Sequence, residues 1–200
     1  MSRGAEKIVG LYDRHADAWD RDRSRRLMER AWLDGFRALL PAGGAILDIG
    51  CGSAEPIARY LIDAGYVLTG VDSSPRMIEI CRQRFPQQSW HVADMRELSL
   101  GRRFDGLIAW DSFFHLTPQD QRNMFLRFRA HAAPGAALLF TSGPQHGEAI
   151  GTYQGEPLYH GSLDAAEYQS LLDGNGFEVV SHVAEDPACG GHTVWLARLV

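Results

Sequence analysis

The sequence comprises 200 residues, of which 45% are hydrophobic and 22% charged, and its formal net charge is −5 at pH 7. This composition is typical of one globular domain with a sizeable core, and the acidic balance argues against a nucleic-acid partner, which normally requires a basic face. No apolar run reaches the length of a transmembrane helix, so we expect a cytoplasmic protein that contacts no membrane.

The N-terminal region predicts helices that flank a sheet. Apolar residues recur at helical spacing through Glu6–Leu40, and a proline and two glycines within residues 41–44 end the pattern. Within this region Tyr12–Asp20 stands apart, because it reads Tyr-Asp-x-x-Ala-x-x-Trp-Asp. The following run Arg21–Arg26 is interleaved with aspartates, which favours a solvated helix junction over a phosphate site.

Residues 45–72 predict a strand, a glycine turn, a helix and a second strand. Ala45–Ile49 is a short apolar run typical of a buried parallel strand, and Gly50–Gly52 then turns the chain. Tyr66–Val71 is a second apolar run, and it ends at Asp72. Because ligands of open α/β sheets bind at the carboxyl ends of the strands, the turn and the acid are expected to face one crevice. The stretch indicates a nucleoside-cofactor site.

Two carboxylates indicate which nucleoside the turn suits. A dinucleotide site requires G-x-G-x-x-G, but the third position here is Glu55, whose bulk and charge suit neither close helix packing nor a pyrophosphate. Asp48 would also repel phosphates, whereas it suits a cationic ligand free of phosphate. The pattern Asp48-x-Gly50-x-Gly52, followed by Asp72, resembles that of the class I S-adenosylmethionine-dependent methyltransferases, whose cofactor carries an ammonium and a sulfonium group.

This resemblance covers about Ile46–Leu199 and implies an α/β three-layer sandwich with a seven-stranded, mostly parallel sheet, its last strand antiparallel, and an N-terminal helical lid. Ala54 departs from the family pattern, which often has a third glycine there, but so small a side chain is expected to cost little. We expect a single domain composed of N-terminal helices and lid (1–42), a cofactor-binding core (43–142), a substrate-roof loop (143–162), and a closing helix and hairpin (163–200).

The resemblance also implies which residues bind S-adenosylmethionine and its product S-adenosylhomocysteine. Asp72 would accept both ribose hydroxyls, since a carboxylate offers two acceptor oxygens. Asp94, after the third strand, would accept from the adenine amine, and Met77 would press on the adenine, unless it only packs in the core. The expected cofactor residues are Tyr12, Trp19, Asp48, Gly50, Cys51, Gly52, Asp72, Ser73, Met77, Asp94, Met95, Trp110 and Asp111.

The next part of the chain predicts the acceptor side of the crevice. The fourth strand, Phe104–Ala109, is followed by a loop that lacks the N/D-P-P-Y/F/W motif of amino methyltransferases acting on nucleobases or glutamine. The fifth strand is expected at Ala136–Thr141. The following segment, Ser142–Gly161, is rich in glycine, so we expect an irregular loop that roofs the substrate site, with an exposed loop carrying incidental aromatics as the alternative. The expected substrate residues are Phe114, His146, Tyr153 and Tyr159.

Two histidines are the expected catalytic residues. Methyl transfer from a sulfonium is an in-line displacement, so the protein chiefly positions and desolvates the reactants and removes a proton where the acceptor requires it. His160 and His115 are candidate bases, because the intrinsic pKa of histidine suits proton transfer near neutral pH. Structural packing is the alternative role for His115.

The end of the chain predicts a helix and a hairpin. The helix Asp164–Asp173 follows a Ser162 cap, and the strands Phe177–Ala184 and Thr193–Leu199 are expected to pair antiparallel. The intervening turn Cys189–His192 has too few partners for a metal site. The chain's three cysteines show no C-x-x-C spacing, so we expect reduced thiols, no disulfide and no metal.

The complete pattern favours an S-adenosylmethionine-dependent methyltransferase that acts on a small-molecule acceptor, because the sequence indicates no added recognition domain and no basic surface. The alternatives are a tRNA or protein methyltransferase, a cofactor-binding partner protein without activity, and a nicotinamide-dependent oxidoreductase. We expect a monomer or a homodimer.

Overall fold

Helices alternate with strands along the chain in the computed structural model, which describes residues 4–200. Its helices are α1 (Ile8–Arg14), α2 (Ala16–Asp22), α3 (Arg30–Arg37), α4 (Ile57–Asp63), α5 (Pro75–Arg84), α6 (Pro118–His131) and α7 (Ala165–Gly174). Its strands are β1 (Ala45–Ile49), β2 (Val67–Asp72), β3 (Ser89–Val92), β4 (Phe104–Ala109), β5 (Ala132–Ser142), β6 (Gly147–Tyr153), β7 (Glu156–Ser162), β8 (Phe177–Asp186) and β9 (His192–Leu199). Within residues 4–200, no helix is both long and apolar enough to cross a membrane.

Seven strands form one sheet in the order β3-β2-β1-β4-β5-β9-β8. Strands β1 to β5 pair in parallel, whereas β9 pairs antiparallel with both β5 and β8. The predicted seven-stranded, mostly parallel sheet with an antiparallel last strand is therefore confirmed. The predicted antiparallel pairing of the two closing strands is confirmed as well.

The sheet has a hydrophobic core on each face, because successive side chains of a strand point in opposite directions. On one face Ile46, Leu68 and Ile108 pack in a core with residues of α3, α4 and α5. On the other face Leu47 and Leu107 pack with residues of α6 and α7. Burial on both faces explains why these strands read as continuous apolar runs, and it leaves their carboxyl ends as the edge where polar side chains gather.

The N-terminal helices extend across that edge. The pattern predicted helix throughout Glu6–Leu40, but the structure divides the segment into α1, α2 and α3 and leaves residues 23–29 non-helical. Tyr12 of α1 and Trp19 of α2 line the cleft at the carboxyl edge. We call α1 and α2 together the lid. Helix α3 instead buries its apolar face in the core.

The prediction of an irregular loop between β5 and α7 was wrong. This segment contains an antiparallel hairpin of β6 and β7, which we call the roof hairpin. Its turn residues Gln154 and Gly155 have φ angles of 49° and 79°, as tight two-residue hairpin turns require. Position 161, within β7, requires glycine because a Cβ there would be 2.8 Å from the carbonyl oxygen of Leu116. Gly155 thus allows the tight turn of the hairpin, and Gly161 allows the backbone to approach Leu116 closely.

Two smaller predictions also need correction. Helix α7 is capped by Asp164, whose Oδ1 accepts from the Glu167 N–H at 2.8 Å, and not by Ser162. Strand β5 begins at Ala132, several residues before the predicted start at Ala136, with a register irregularity against β4. Both differences lie at element ends, where local hydrogen bonds decide the boundary.

The close packing of β2 against β3 predicts the effect of a single methyl group. A Cβ at Gly70 would lie 2.3 Å from two ring carbons of Trp90. We expect Gly70→Ala to lower the free energy of unfolding by about 1–3 kcal/mol, because an overpacked core forces side chains or backbone to shift. Urea denaturation measures the change. The matched control is Gly174→Ala at the end of α7, where a Cβ meets nothing within 4 Å; equal losses in both variants would contradict the packing argument.

Candidate functional site

A cleft lies at the carboxyl ends of β1, β2 and β4, beneath the lid. The structure brings into its lining every residue that the sequence predicted for cofactor binding, and their role in binding stays a prediction. These residues are Tyr12, Trp19, Asp48, Gly50, Cys51, Gly52, Asp72, Ser73, Met77, Asp94, Met95, Trp110 and Asp111. We call this the main cleft.

The glycine turn after β1 forms part of the cleft's floor. Gly50 has a φ of 76°, and a Cβ there would lie 2.3 Å from the Cβ of Ser112, so no other residue fits. The Gly52 N–H donates to Asp72 Oδ2 at 3.0 Å, which joins the turn to the end of β2. Ala54 has a φ of 64°, a conformation that glycine adopts more readily. The family's usual glycine therefore has a backbone reason, and this chain accepts the strain instead.

Two neighbouring carboxylates, one buried and one half-buried, lie at the ends of β1 and β2. Asp48 is only 5% exposed, and burial, together with the nearby charge of Asp72, raises its pKa to about 7. Burial also raises the pKa of Asp72, although the N–H groups of Gly52 and Ser74 donate to its two oxygens. Bringing two carboxylates together in a buried site is unfavourable unless a cation approaches. The floor is therefore suited to a positively charged ligand.

The carboxylate at the far end of the cleft already has a partner. Arg96 Nη2 donates to Asp94 Oδ2 at 2.6 Å, and the Arg96 backbone N–H donates to Asp94 Oδ1 at 2.8 Å. Although burial opposes it, this pairing holds the pKa of Asp94 below its usual range. Arg96 also lines the cleft, although it was not among the residues predicted from the sequence. Its position two residues after the acid was the available signal.

The lid meets the roof hairpin through a chain of hydrogen bonds. Tyr12 Oη lies 2.9 Å from His115 Nε2, and His115 Nδ1 lies 2.8 Å from the carbonyl oxygen of Tyr159. A carbonyl only accepts, so Nδ1 carries the proton and Nε2 accepts from the tyrosine. Burial lowers the pKa of His115 to about 4 and raises that of Tyr12. Both side chains are therefore neutral at pH 7, and both nitrogens of His115 are engaged.

Polar contacts fasten the lid on two sides. On the side of α5, Ser74 Oγ donates to Asp13 at 2.7 Å and Arg84 Nη2 donates to Asp20 at 2.8 Å. On the other side, Glu156 of the roof hairpin accepts from Arg14 Nη2 at 2.5 Å. The lid therefore lies closed over the main cleft.

A charge cluster that the sequence analysis did not foresee forms another wall. Asp111 accepts from Arg23 Nη1 at 3.1 Å through Oδ2 and from His192 Nε2 at 2.9 Å through Oδ1. The prediction of a solvated junction fits Arg21, whose side chain is 70% exposed, but was wrong for Arg23, at 16%. The turn Cys189–His192 likewise reaches this wall. These contacts join residues more than 80 positions apart, so no local pattern signals them.

A second cavity of about 370 Å³ lies beside the main cleft, beneath the roof hairpin. Phe114, His146 and His160, which the sequence predicted for substrate and catalysis, line it. His160 in its lining and His115 in the lining of the main cleft have ring centroids 5.0 Å apart. The other two predicted substrate residues do not line this cavity. The ring of Tyr153 contacts Tyr12 and Trp19 of the lid, and the side chain of Tyr159, on β7, is buried.

The cysteines are all buried free thiols: Cys51, Cys81 and Cys189. Burial raises the pKa of Cys51 and raises that of Cys189 to about 11, so both remain protonated at neutral pH. Within residues 4–200, no three histidine, cysteine, aspartate or glutamate side chains group in a way that could hold a metal ion.

Comparison with known proteins gives a consistent picture. Residues 46–135 match the family model described as a methyltransferase domain. The chain is 33% identical over 135 residues to dTDP-3-amino-3,6-dideoxy-alpha-D-glucopyranose N,N-dimethyltransferase of Streptomyces fradiae, covering 66% of this chain and 52% of that protein. It is 26% identical over 201 residues to dTDP-4-amino-2,3,4,6-tetradeoxy-D-glucose N,N-dimethyltransferase of Saccharopolyspora spinosa, covering 86% and 80%. The chain thus spans about half the length of the first of these relatives.

Solved structures share the fold. An amino pentose methyltransferase from Micromonospora echinaspora, solved with bound S-adenosylmethionine, superposes with a TM-score of 0.73 at 20% identity, covering 94% of this chain and 96% of that one. Residues 46–135 thus match the methyltransferase-domain family, and the chain shares the fold of this S-adenosylmethionine-bound methyltransferase.

Proposed function

We propose that the main cleft binds S-adenosylmethionine and that the chain transfers its methyl group to a small-molecule acceptor. The observation that carries the proposal is the pair of neighbouring carboxylates, buried Asp48 and half-buried Asp72, on a floor covered by an aromatic lid. Such a floor disfavours phosphates and favours a cation. The names of the two relatives described above, which are N,N-dimethyltransferases of amino sugars, support an amine as the acceptor.

The residues of the cleft would divide the binding between them. When bound, S-adenosylmethionine supplies an electrophilic methyl group on a sulfonium. Asp72, at the end of β2, would accept from the ribose hydroxyls, and Asp94 would accept from the adenine amine while Arg96 holds it in place. Asp48 would face the cationic end, and Tyr12 and Trp19 would exclude water from above.

The acceptor would approach from the roof hairpin, and its proton would leave through His160. His115 is a poor base, because both of its nitrogens are engaged and its pKa is about 4. Through its hydrogen bond to the Tyr12 hydroxyl, His115 instead holds Tyr12 in place. His160 is half-buried in the second cavity, where burial also lowers its pKa, so its ring is neutral at pH 7. We infer that His160 receives the proton of a protonated acceptor, with His115 as a positioning residue.

Calorimetric titration with S-adenosylhomocysteine tests the cofactor site. Asp72→Asn keeps the size of the side chain but removes its charge and one acceptor oxygen, so we expect binding to weaken by about tenfold or more. The matched control is Asp63→Asn at the exposed end of α4, which should bind as the wild type does. A folded wild type that binds NAD but not S-adenosylhomocysteine would overturn the proposal in favour of the oxidoreductase alternative.

The raised pKa of Asp48 predicts that binding of S-adenosylmethionine at pH 7 releases protons. With its pKa at about 7, free Asp48 is partly protonated, and a nearby cation lowers that pKa and drives the proton off. Titrations in buffers of different ionisation enthalpy count the protons. Release should fade by pH 9, where Asp48 is already ionised, and the Asp48-dependent part should vanish in Asp48→Asn. Equal release by wild type and variant at pH 7 would contradict this assignment.

Transfer of a labelled methyl group tests the acceptor class. We expect label from S-adenosylmethionine on amine-bearing sugars or other small amines, with a rate that rises with pH as the amine loses its proton. His160→Gln should lower kcat for a protonated amine while leaving S-adenosylhomocysteine affinity unchanged, because His160 lies in the second cavity. Label on tRNA or protein, with none on small amines, would favour the macromolecular alternatives.

A further inference from the structure

One carboxylate joins the lid to the turn between the closing strands. Asp111 Oδ1 lies 2.9 Å from His192 Nε2, and its Oδ2 lies 3.1 Å from Arg23 Nη1. Arg23 directly follows α2, and its Nη2 lies 3.5 Å from Glu29 Oε1. Arg23, directly after the lid, and His192, in the turn between the closing strands, thus share the same carboxylate, which itself follows β4.

His192 is held in one orientation. Its Nδ1 lies 2.7 Å from the carbonyl oxygen of Cys189, and its ring stacks on Trp110 with centroids 5.6 Å apart. Both ring nitrogens face oxygen acceptors, so both donate and the ring carries a positive charge. The hydrogen bond to Asp111 correspondingly raises the pKa of His192. The ring therefore acts as a fixed charged donor to Asp111.

The backbone of Asp111 is unusual as well. Its φ is 49°, in the left-handed region that non-glycine residues seldom adopt, and its N–H donates to Thr141 Oγ1 at 2.9 Å. Such a conformation persists only where the surroundings determine it. Here Thr141 fixes the main chain and His192 fixes the carboxylate. The second oxygen is thereby presented to Arg23.

We propose that His192 is a positioning residue of the methyltransferase site: it orients Asp111 and, through Asp111, holds Arg23 and the lid closed over the main cleft. The inference rests on the proposed function, because closure matters only if the cleft holds a cofactor. Without His192 the Asp111 carboxylate is free to rotate, and Arg23 is left between Asp111 and Glu29. The closed lid would then open more often and release its ligand faster.

Two substitutions grade the effect. His192→Leu removes both the charge and the donor, and we expect it to weaken S-adenosylhomocysteine binding by about tenfold, the usual weight of a charge-assisted hydrogen bond. His192→Gln retains a donor without charge and should lose less. The loss should appear mainly as a faster dissociation rate, measured by stopped-flow tryptophan fluorescence. Circular dichroism establishes that each variant is folded.

His182→Gln is the matched control. His182 lies on β8 of the same hairpin, its Nδ1 is 3.0 Å from the carbonyl oxygen of Val194, and its ring stacks on Trp195 at 3.5 Å. It thus shares the ring stacking and backbone contact of His192, but its ring nitrogen contacts the Val194 carbonyl oxygen and not the Asp111 carboxylate. We expect unchanged affinity and dissociation rate in this variant. An equal loss in both histidine variants would assign the effect to hairpin stability and overturn the proposal.

A double-mutant cycle tests whether His192 acts through Asp111. If it does, the losses of His192→Gln and Asp111→Asn are less than multiplicative when combined, because the second substitution removes an interaction that is already lost. Multiplicative losses would show independent roles and overturn the proposal.

The pH dependence supplies a readout that a purely structural role would not give. His192 donates its charge only while protonated, so wild-type affinity should fall as pH rises through its raised pKa, above the ordinary value of about 6.5. The charged or titratable groups near His192 are Asp111, Arg23, Glu29, Cys189 and Asp186, its pairing partner on β8. The Cys189 thiol, with a pKa of about 11, stays protonated through that range. His192→Gln should lack this decline, and the difference between the two curves removes the titration of the ligand's own amine.

The outcomes separate the two proposals. A folded wild type that does not bind S-adenosylhomocysteine overturns the proposed function. A wild type that binds it, with His192→Leu and His192→Gln unchanged in affinity, dissociation rate and pH dependence, overturns only the positioning role.

Discussion

The structure of the site depends on placing two carboxylates together at the ends of adjacent parallel strands. Asp48 pairs in register with Gly70, two residues before Asp72, so both acids emerge at the same buried edge. The burial that makes the sheet stable also raises the pKa values of these groups. Hydrogen bonds from the N–H groups of Gly52 and Ser74 to Asp72 offset part of the free energy lost by removing the carboxylate from water. A cationic ligand would offset the rest, so the same constraint shapes the fold and selects the ligand.

The lid closes over this edge through tertiary contacts and not through its own helical stability. Its two helices have seven residues each, too few to persist alone in water. What holds them is the Tyr12–His115 hydrogen bond, the pairs with α5 and the roof hairpin, and the Arg23–Asp111 contact. Several contacts of modest strength, most of them at the rim, suit a segment that must open to exchange ligands.

The floor of the site could be predicted from the sequence, but its walls could not. The floor depends on residues that directly follow buried strands, and strand ends are visible as the ends of apolar runs. Arg23 and His192 reach Asp111 across 88 and 81 positions, and only the folded chain brings them there. The roof hairpin was misjudged for a different reason: its glycines resemble those of a loop, although one forms the tight turn and another allows close approach to Leu116. Because β6 and β7 contain several small residues, their sequence shows too weak an alternation of apolar and polar residues to be recognised as strands.

The proposed reaction also accounts for the contrast between the carboxylates of the floor and the neutral Tyr12, His115 and His160 side chains that would face the acceptor. Methyl transfer from a sulfonium to a neutral amine moves positive charge from sulfur to nitrogen without creating any. The acceptor side therefore needs no donor for a developing anion, unlike an acyl-transfer site. Tyr12, His115 and His160 are neutral at pH 7 because burial shifts each pKa away from the charged form. Aromatic faces that exclude water leave the amine unsolvated and free to react, and the carboxylates remain on the cofactor's side, where the positive charge begins.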